Sequence, residues 1–103
     1  MSRNDKIASY IGFSIKAGKL VYGYENVIAS KKMVYLVICD QSLAENSSEK
    51  VRRYAVRRNV PVISVPNLSE YFGGKAIKCV GMAEPHLAEA VAIEFNKTFG
   101  GSN

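Results

Sequence analysis

Gly23, Glu25 and Asn26 stand where a short β-prone run, residues 19–22, gives way to a helical pattern. Apolar side chains in residues 24–28 recur at the spacing of one helix face. A glycine at such a junction lets the backbone approach a partner, and the first N–H groups of the helix point outward with partial positive charge. This stretch could therefore recognise phosphates or polar base edges. The same residues could instead serve structure alone, with Gly23 turning the chain and Glu25 and Asn26 capping the helix.

Basic side chains surround this stretch. The chain carries 14 Lys and Arg against 9 Asp and Glu, a formal net charge of +5, which favours a polyanionic partner. The last twenty residues are net acidic, so we expect one side of the molecule to be positive. The cations form one group around Gly23 (Lys16, Lys19, Lys31, Lys32) and a second group further on (Lys50, Arg52, Arg53, Arg57, Arg58).

No catalytic or cofactor-binding pattern is present in the sequence. Gly18-Lys19 and Gly74-Lys75 lack the frame of a phosphate-binding loop. The sole histidine, His86, follows a proline at a predicted helix start, where capping or solvent exposure is expected. We therefore predict a protein that is not an enzyme and that binds no cofactor or metal ion.

The two cysteines, Cys39 and Cys79, each lie inside an apolar, strand-like run, with no second cysteine nearby in the sequence. We expect buried, reduced thiols in a reducing compartment. A disulfide or a nucleophilic cysteine is the alternative.

Helical and strand patterns alternate along the chain, which predicts an α/β domain with a mixed central sheet of about four strands between helices on both faces. The apolar runs at 33–39 and 60–65 are typical of strands buried on both faces. Ligands bind such sheets at the edge formed by the strand ends and the helix starts that follow, and residues 23–26 and 75–78 are expected there. Helices are predicted at 5–16, from 24 to about 32, from a capping signature at 46–49, at 68–72 as a short turn, and from 85 onward; the remaining strands are predicted at 19–22 and 76–83.

The length of 103 residues suits one domain. We assign it to residues 1–99 and expect residues 100–103 to form a disordered tail. No run approaches the roughly 20 apolar residues of a membrane span, and the N-terminus lacks the apolar core of a secretory signal. A soluble, cytoplasmic protein is therefore expected.

Several motifs follow one another along nearly the whole chain. They are Ala-Gly-Lys-Leu-Val-Tyr-Gly at 17–23, Cys-Asp-Gln-Ser at 39–42, Asn-Ser-Ser-Glu-Lys at 46–50, Val-Pro-Val at 60–62, Phe-Gly-Gly-Lys at 72–75 and Ala-Glu at 83–84. In this order they resemble the ribosomal L7Ae/L30e/S12e family, most closely its small bacterial members.

The resemblance implies a three-layer α-β-α sandwich, L30e-like, that binds kink-turn or similarly bent RNA and associates with ribosomes. We expect a monomer. In the family, the glycine-led helix start contacts sheared G·A pairs, and the loop before the last strand packs an apolar residue against a flipped-out base. Spacing alone assigns Ile77 equally to the core or to the surface, and the resemblance favours the surface. The implied RNA-binding residues are Gly23, Glu25, Asn26, Lys75, Ala76, Ile77 and Lys78, with Lys19 and Lys31 as flanking cations.

The chain departs from the family pattern within this proposed site. Family members that bind kink-turns well carry Asn or Lys at the position of Glu25 and Lys at the position of Ala29. The segment around Gly73 is also shorter than the family's form. RNA binding is the leading interpretation. The alternative is a protein-interaction module that keeps the fold without the RNA site, and a small-ligand enzyme ranks third.

Overall fold

A four-stranded mixed sheet forms the middle layer of the computed structural model, which describes residues 4–100. The strands are β1 (Leu20–Tyr22), β2 (Leu36–Asp40), β3 (Val62–Val65) and β4 (Cys79–Met82), in the order β1-β4-β2-β3. β2 and β3 are parallel, whereas β4 runs antiparallel to both β1 and β2. The predicted mixed sheet of about four strands is confirmed.

Helices cover both faces of this sheet. The helical segments are α1 (Asp5–Lys16), α2 (Tyr24–Ala29), α3 (Glu45–Arg58), α4 (Pro85–Phe95), a 3-10 helix (Leu68–Phe72) and a π-helical turn (Asn96–Gly100). Apolar residues of α1, α4 and the 3-10 helix pack with Leu36 and Ile38 in one buried cluster. Residues of α2 and α3 pack with Val37 and Cys39 in a second cluster on the other face. The arrangement confirms the α-β-α layering.

The strand predicted from the run at 33–39 is indeed buried on both faces, because every residue of β2 is buried. It begins three positions later than predicted, since Met33 and Tyr35 are 64% and 38% exposed. The prediction that residues 60–65 are also buried on both faces is wrong. β3 is an edge strand whose Ile63 and Val65 face the core, whereas Val62 and Ser64 face solvent.

Three other predicted boundaries are wrong, and local hydrogen bonding explains two of them. α2 ends at Ala29 because Ser30 is extended and its Oγ accepts a hydrogen bond from the Lys32 N–H at 3.1 Å, a local alternative to helix. β4 starts at Cys79 after a tight turn in which the Ile77 N–H donates to the Lys75 carbonyl at 2.8 Å, and Lys78, just before the strand, bonds to β2 through its carbonyl, which accepts from the Asp40 N–H at 2.8 Å.

The third boundary is the start of α3, where Ala44 rather than the predicted capping signature precedes the first helical residue, and no side chain caps this end. The expected disordered tail at 100–103 lies outside the described residues, except for Gly100, which ends the π-helical turn. Within the described part of the chain, no helix combines the length and apolarity that a membrane crossing needs.

Gly81 lets α2 lie close to β4. A Cβ built on Gly81 would lie 3.1 Å from a Val34 methyl carbon and 3.2 Å from a Val27 methyl carbon. Because both valines are fully or almost fully buried, neither can easily move aside.

We predict that Gly81→Ala destabilises the protein by about 1–3 kcal/mol through overpacking. Gly12→Ala is the matched control, since Gly12 lies within α1 and a Cβ added there would meet no atom within 4 Å. That change should stabilise by about 0.5–1 kcal/mol because alanine is the better helix former. Urea denaturation of the three proteins measures both effects, and equal stability of wild type and Gly81→Ala would contradict the packing argument.

Candidate nucleic-acid interface

Three loops meet at one edge of the sheet, where β1 and β2 end and β4 begins. The Gly23 N–H donates to the Cys79 carbonyl at 2.8 Å, and the Asp40 N–H donates to the Lys78 carbonyl at 2.8 Å. The start of α2, the turn after β2 and the loop before β4 therefore form one continuous surface. Residues 23–26 and 75–78 lie along the same edge, which is the placement expected from the alternation of elements.

Gly23 adopts a conformation that few other residues could take. Its φ is 89° and its ψ is 139°, a region in which a Cβ is strained. The carbonyl of Gly23 accepts the first helical hydrogen bond, from the Val27 N–H at 3.0 Å, and no side chain caps α2. The conformation of Gly23 thus sets the direction in which α2 leaves the sheet.

Asn26 and Glu25 play different parts at this helix start. The Asn26 Nδ2 donates to the Tyr22 carbonyl at 2.8 Å, which fixes this side chain against the end of β1. Glu25 is exposed and accepts a hydrogen bond of 3.3 Å from the Tyr24 hydroxyl. The interpretation that both residues merely cap the helix is wrong for Asn26, which bonds back to β1 instead.

Tyr22 separates two grooves on this surface. Its side chain is 42% exposed, and its ring meets the Phe72 ring edge-on at a centroid distance of 5.9 Å. The first groove, here called the aromatic groove, is lined by Tyr22 with Ile15, Tyr71, Phe72, Gly73, Lys75 and Ile77. The second, the lysine groove, is lined by Tyr22 with Leu20, Val21, Asn26, Ala29, Ser30, Lys31 and Lys32.

Asp40 is a buried residue that links the segments in the middle of this surface. Its side chain is buried, and Oδ1 accepts a hydrogen bond from the Leu68 N–H at 2.7 Å. Oδ2 accepts from the N–H and the hydroxyl of Ser42, at 2.9 and 2.5 Å. Lys78 Nζ lies 3.8 Å from Oδ2 and donates to the Ser42 hydroxyl at 2.5 Å. Asp40 therefore links the 3-10 helix, the turn after β2 and the loop before β4.

These contacts shift the pKa of the Asp40 carboxyl. Burial on its own would raise this pKa, but the hydrogen bonds from Ser42 and Leu68, together with the Lys78 charge, hold the pKa below its ordinary value. Asp40 is thus ionised at neutral pH. It is a permanent negative partner for Lys78.

The residues predicted in the loop before β4 have different surroundings. Lys75 and Ile77 line the aromatic groove, and Ala76 is exposed. Ile77 is half-buried and packs at the margin of the first core cluster. It therefore belongs fully to neither the surface nor the core. Lys78 is half-exposed, and its Nζ lies near the Asp40 carboxylate.

Lys31 and Lys19 belong to segments that meet beside the start of β1, where the Lys32 Nζ donates to the Gly18 carbonyl at 3.4 Å. Lys31 lines the lysine groove beside Asn26. Lys19 precedes β1, and its carbonyl accepts a hydrogen bond from the Ala83 N–H at the far end of β4. Because β1 spans about 10 Å, Lys19 is not brought to the edge that carries Gly23.

The basic helix α3 contributes one cation near this edge. Lys50 Nζ lies 6.0 Å from the centre of the Tyr24 ring, on the first turn of α2. By contrast, Arg52 and Arg53 pair with Glu49 at 2.6 and 3.4 Å, so part of the positive charge of α3 is offset locally. Sequence reasoning assigned no site role to Lys50, Tyr22 or Asp40, because only the fold brings them together there.

The sequence predicted no ligand-binding role for His86 and no metal site. His86 is 90% exposed, and its Nδ1 lies 3.2 Å from a Glu84 carboxylate oxygen. Between residues 4 and 100, no three or more His, Cys, Asp and Glu side chains are grouped as a metal site would require.

Comparison with known proteins bears on the fold. No protein-family model matches the chain, and no curated protein matches it. A solved structure of a protein of unknown function from Bacillus halodurans C has a similar fold, with a TM-score of 0.79 and 22% sequence identity. The match covers 87% of this chain and 96% of that chain. At this level of identity the likeness concerns the fold, and it supports the mixed α/β arrangement.

We predict that Asp40→Asn lowers the free energy of unfolding at neutral pH by about 1–3 kcal/mol, because an amide satisfies the Leu68, Ser42 and Lys78 partners less well than a carboxylate. The pKa of Asp40 is lower in the folded than in the unfolded protein, so its contribution is fully present above the ordinary pKa of about 3.9 and is lost as the pH falls through the folded-state value.

Urea titrations of wild type and Asp40→Asn between neutral and acidic pH measure this difference. The two stabilities should converge at the acidic end, where Asp40 is protonated. The variant retains some pH dependence, because the hydrogen bond from the Leu87 N–H lowers the pKa of Glu84 as well. A constant difference at every pH would show that ionisation of Asp40 does not matter.

Proposed function

We propose that this protein is a non-catalytic RNA-binding protein that recognises kink-turn-like or otherwise bent RNA through the sheet edge described above. The observation that carries the proposal is the convergence of the Gly23-led helix start and the loop at 75–78 on one edge, on either side of an exposed tyrosine. A cytoplasmic location, a monomeric state, association with ribosomes and membership of the L7Ae/L30e/S12e family belong to the same proposal.

The chemistry of the edge suits distorted RNA better than a regular duplex. Specific readout of RNA relies on splayed bases, which stack on aromatic side chains, and on backbone phosphates, which attract cations. Tyr22 and Phe72 supply aromatic surface in the aromatic groove, and Lys75 supplies a cation at its rim. Lys31 and Lys32 supply charge in the neighbouring lysine groove. A bent RNA could present an unstacked base to the first groove and phosphates to the second.

A second function, that of a protein-interaction module, is favoured by a separate observation. Val56 is 77% exposed and Val62 is 40% exposed, and both line a groove between the end of α3 and the edge strand β3. This apolar surface is distant in the fold from α1, β1 and the aromatic groove. If the protein is an interaction module that has lost the RNA site, its affinity for RNA should be weak or absent.

We predict that the protein binds a kink-turn RNA with an affinity that falls with salt, with a log–log slope of about −2 to −4 if about three or four phosphates are neutralised. Fluorescence anisotropy across a salt series gives the slope, and a straight duplex of the same length is the RNA control. Equal affinity for both RNAs, or a slope near zero, would contradict recognition of bent RNA.

Tyr22→Ala and Phe13→Ala locate the binding surface in the same assay. Phe13 is a matched exposed aromatic, 55% accessible on α1 and outside both grooves. The Tyr22→Ala variant should bind RNA more weakly by about 1–3 kcal/mol, because it loses the stacking of one base. The Phe13→Ala variant should bind like wild type. Equal effects of the two changes would place the RNA elsewhere.

We also predict that Glu25→Asn combined with Ala29→Lys tightens binding to a kink-turn. Both residues are exposed and lie four positions apart on α2, so they share one face of the helix. Removing one carboxylate and adding one cation at exposed positions should be worth about 1–2 kcal/mol, roughly 5- to 30-fold in Kd.

The matched control for charge alone is Glu89→Asn combined with Asn96→Lys, which makes the same charge change at exposed positions of α4 and the turn after it. This pair lies on the face of the sheet opposite α2. If both double variants tighten binding equally, net charge explains the gain, and α2 is not a contact surface.

A further inference from the structure

The fold brings together two cysteines that are 40 positions apart in the sequence. Cys39 on β2 and Cys79 on β4 are paired residues of neighbouring strands, and their Sγ atoms lie 3.9 Å apart. Both are buried and unbridged. The expectation of buried free thiols is confirmed, but each thiol has the other as its neighbour.

The register of the two strands suits a covalent bridge. The Asp40 N–H donates to the Lys78 carbonyl, so Cys39 and Cys79 form a non-hydrogen-bonded pair of the antiparallel ladder. In such pairs the Cα atoms are about 4.5 Å apart and the side chains stand closest. That separation falls within the range of about 4.4–6.8 Å that disulfides span. The strands already stand at a separation that suits a bridge, so rotation of the two side chains is the movement that brings the sulfurs from 3.9 Å to bonding distance.

We propose that Cys39 and Cys79 are a redox modification site, which a hydroperoxide oxidises to a reversible disulfide within the folded sheet. This inference is independent of RNA binding. It rests on the pairing of the thiols and on a path by which a small oxidant reaches one of them.

That path leads to Cys39. Cys39 lines a small cavity of about 150 Å³ together with Ser48, Val51, Arg52, Val62 and Ser64. Hydrogen peroxide is little larger than water, which occupies about 30 Å³ in the liquid, so the cavity can admit it. Cys79 does not line this cavity and is only 1% exposed. Arg52 also lines this cavity, while its guanidinium pairs with the Glu49 carboxylate at 2.6 Å.

The two thiols also differ in acidity. The hydrogen bond with Cys79 lowers the pKa of Cys39, against the effect of burial. The same hydrogen bond, burial and the nearby charge on Cys39 raise the pKa of Cys79. Because Cys39 lines the cavity and Cys79 does not, Cys39 is the sulfur that attacks, and Cys79 is the thiol that resolves the product.

The reaction balances in two steps. The Cys39 thiolate attacks one oxygen of the hydroperoxide, the O–O bond breaks, and the leaving oxygen takes up a proton, which gives water when the oxidant is hydrogen peroxide. Cys39 is then a sulfenic acid. The Cys79 sulfur attacks Cys39, the S–O bond breaks, and the hydroxyl leaves as water with the Cys79 proton. Two thiols are oxidised by two electrons, and one peroxide is reduced.

The test is treatment of the full, folded chain with hydrogen peroxide, followed by intact mass measurement and a non-reducing digest. Wild type should lose the mass of two hydrogens, yield a peptide that joins Cys39 to Cys79, and recover its original mass with dithiothreitol. The same treatment in concentrated urea controls for oxidation of the unfolded chain.

Single variants separate the roles of the two sulfurs. Cys79→Ser should gain one oxygen, trapped by dimedone on Cys39, because no resolving thiol remains. Cys39→Ser should react at least tenfold more slowly, because Cys79 has no path to the oxidant. If a variant does not fold, the wild-type digest still decides. A wild-type mass unchanged under native conditions, a disulfide that forms only in urea, or a bridge between two chains would each overturn the proposal.

Discussion

The hydrogen bonds and the ion pair of the buried Asp40 carboxylate are the interactions on which the sheet edge beside Gly23 depends. Burying a carboxylate without partners is costly, so the backbone around it must supply hydrogen bonds. The structure supplies partners from three segments, the 3-10 helix through Leu68, the turn through Ser42 and the last loop through Lys78. A single charge at the end of β2 thereby fixes loops that are distant in sequence. The 3-10 helix and the loop before β4 both line the aromatic groove, so the shape of this groove depends on the constraint at Asp40.

Close packing of α2 on the sheet supplies the second half of the same edge. Gly81 has no side chain, so Val27 and Val34 lie against β4 where a larger residue would push them away. Gly23 then turns the chain from β1 into α2, and its N–H bonds to the Cys79 carbonyl. Residues of β4 thus belong to the buried clusters on both faces of the sheet. Val80 and Met82 complete the cluster under α1 and α4, and Cys79 completes the cluster under α2 and α3.

Apolar patterning predicted the layers and the sheet because four of the five residues of β2 are apolar. It failed for β3, since an edge strand and a central strand can share the same apolar composition, and only the strand order distinguishes them. Of the candidate site, glycine and helix spacing predicted the start of α2, whereas residues 75–78 were placed there by the alternation of elements and by the family resemblance. Tyr22 against Phe72, Lys50 over Tyr24 and the cysteine pair are long-range contacts, and no local pattern encodes them.

Under the proposed function, the charges on the edge act over different distances. The surrounding lysines are exposed, and their summed field attracts a polyanion that comes within about the screening length, roughly 8 Å at physiological salt. At contact, however, the first turn of α2 presents the Glu25 carboxylate rather than a cation. A phosphate placed there would be repelled, whereas an exocyclic amino group of a base could donate a hydrogen bond to it. Glu25 therefore favours an RNA that turns base edges, rather than its backbone, toward the start of α2, and the lysines beside it are left to hold the phosphates.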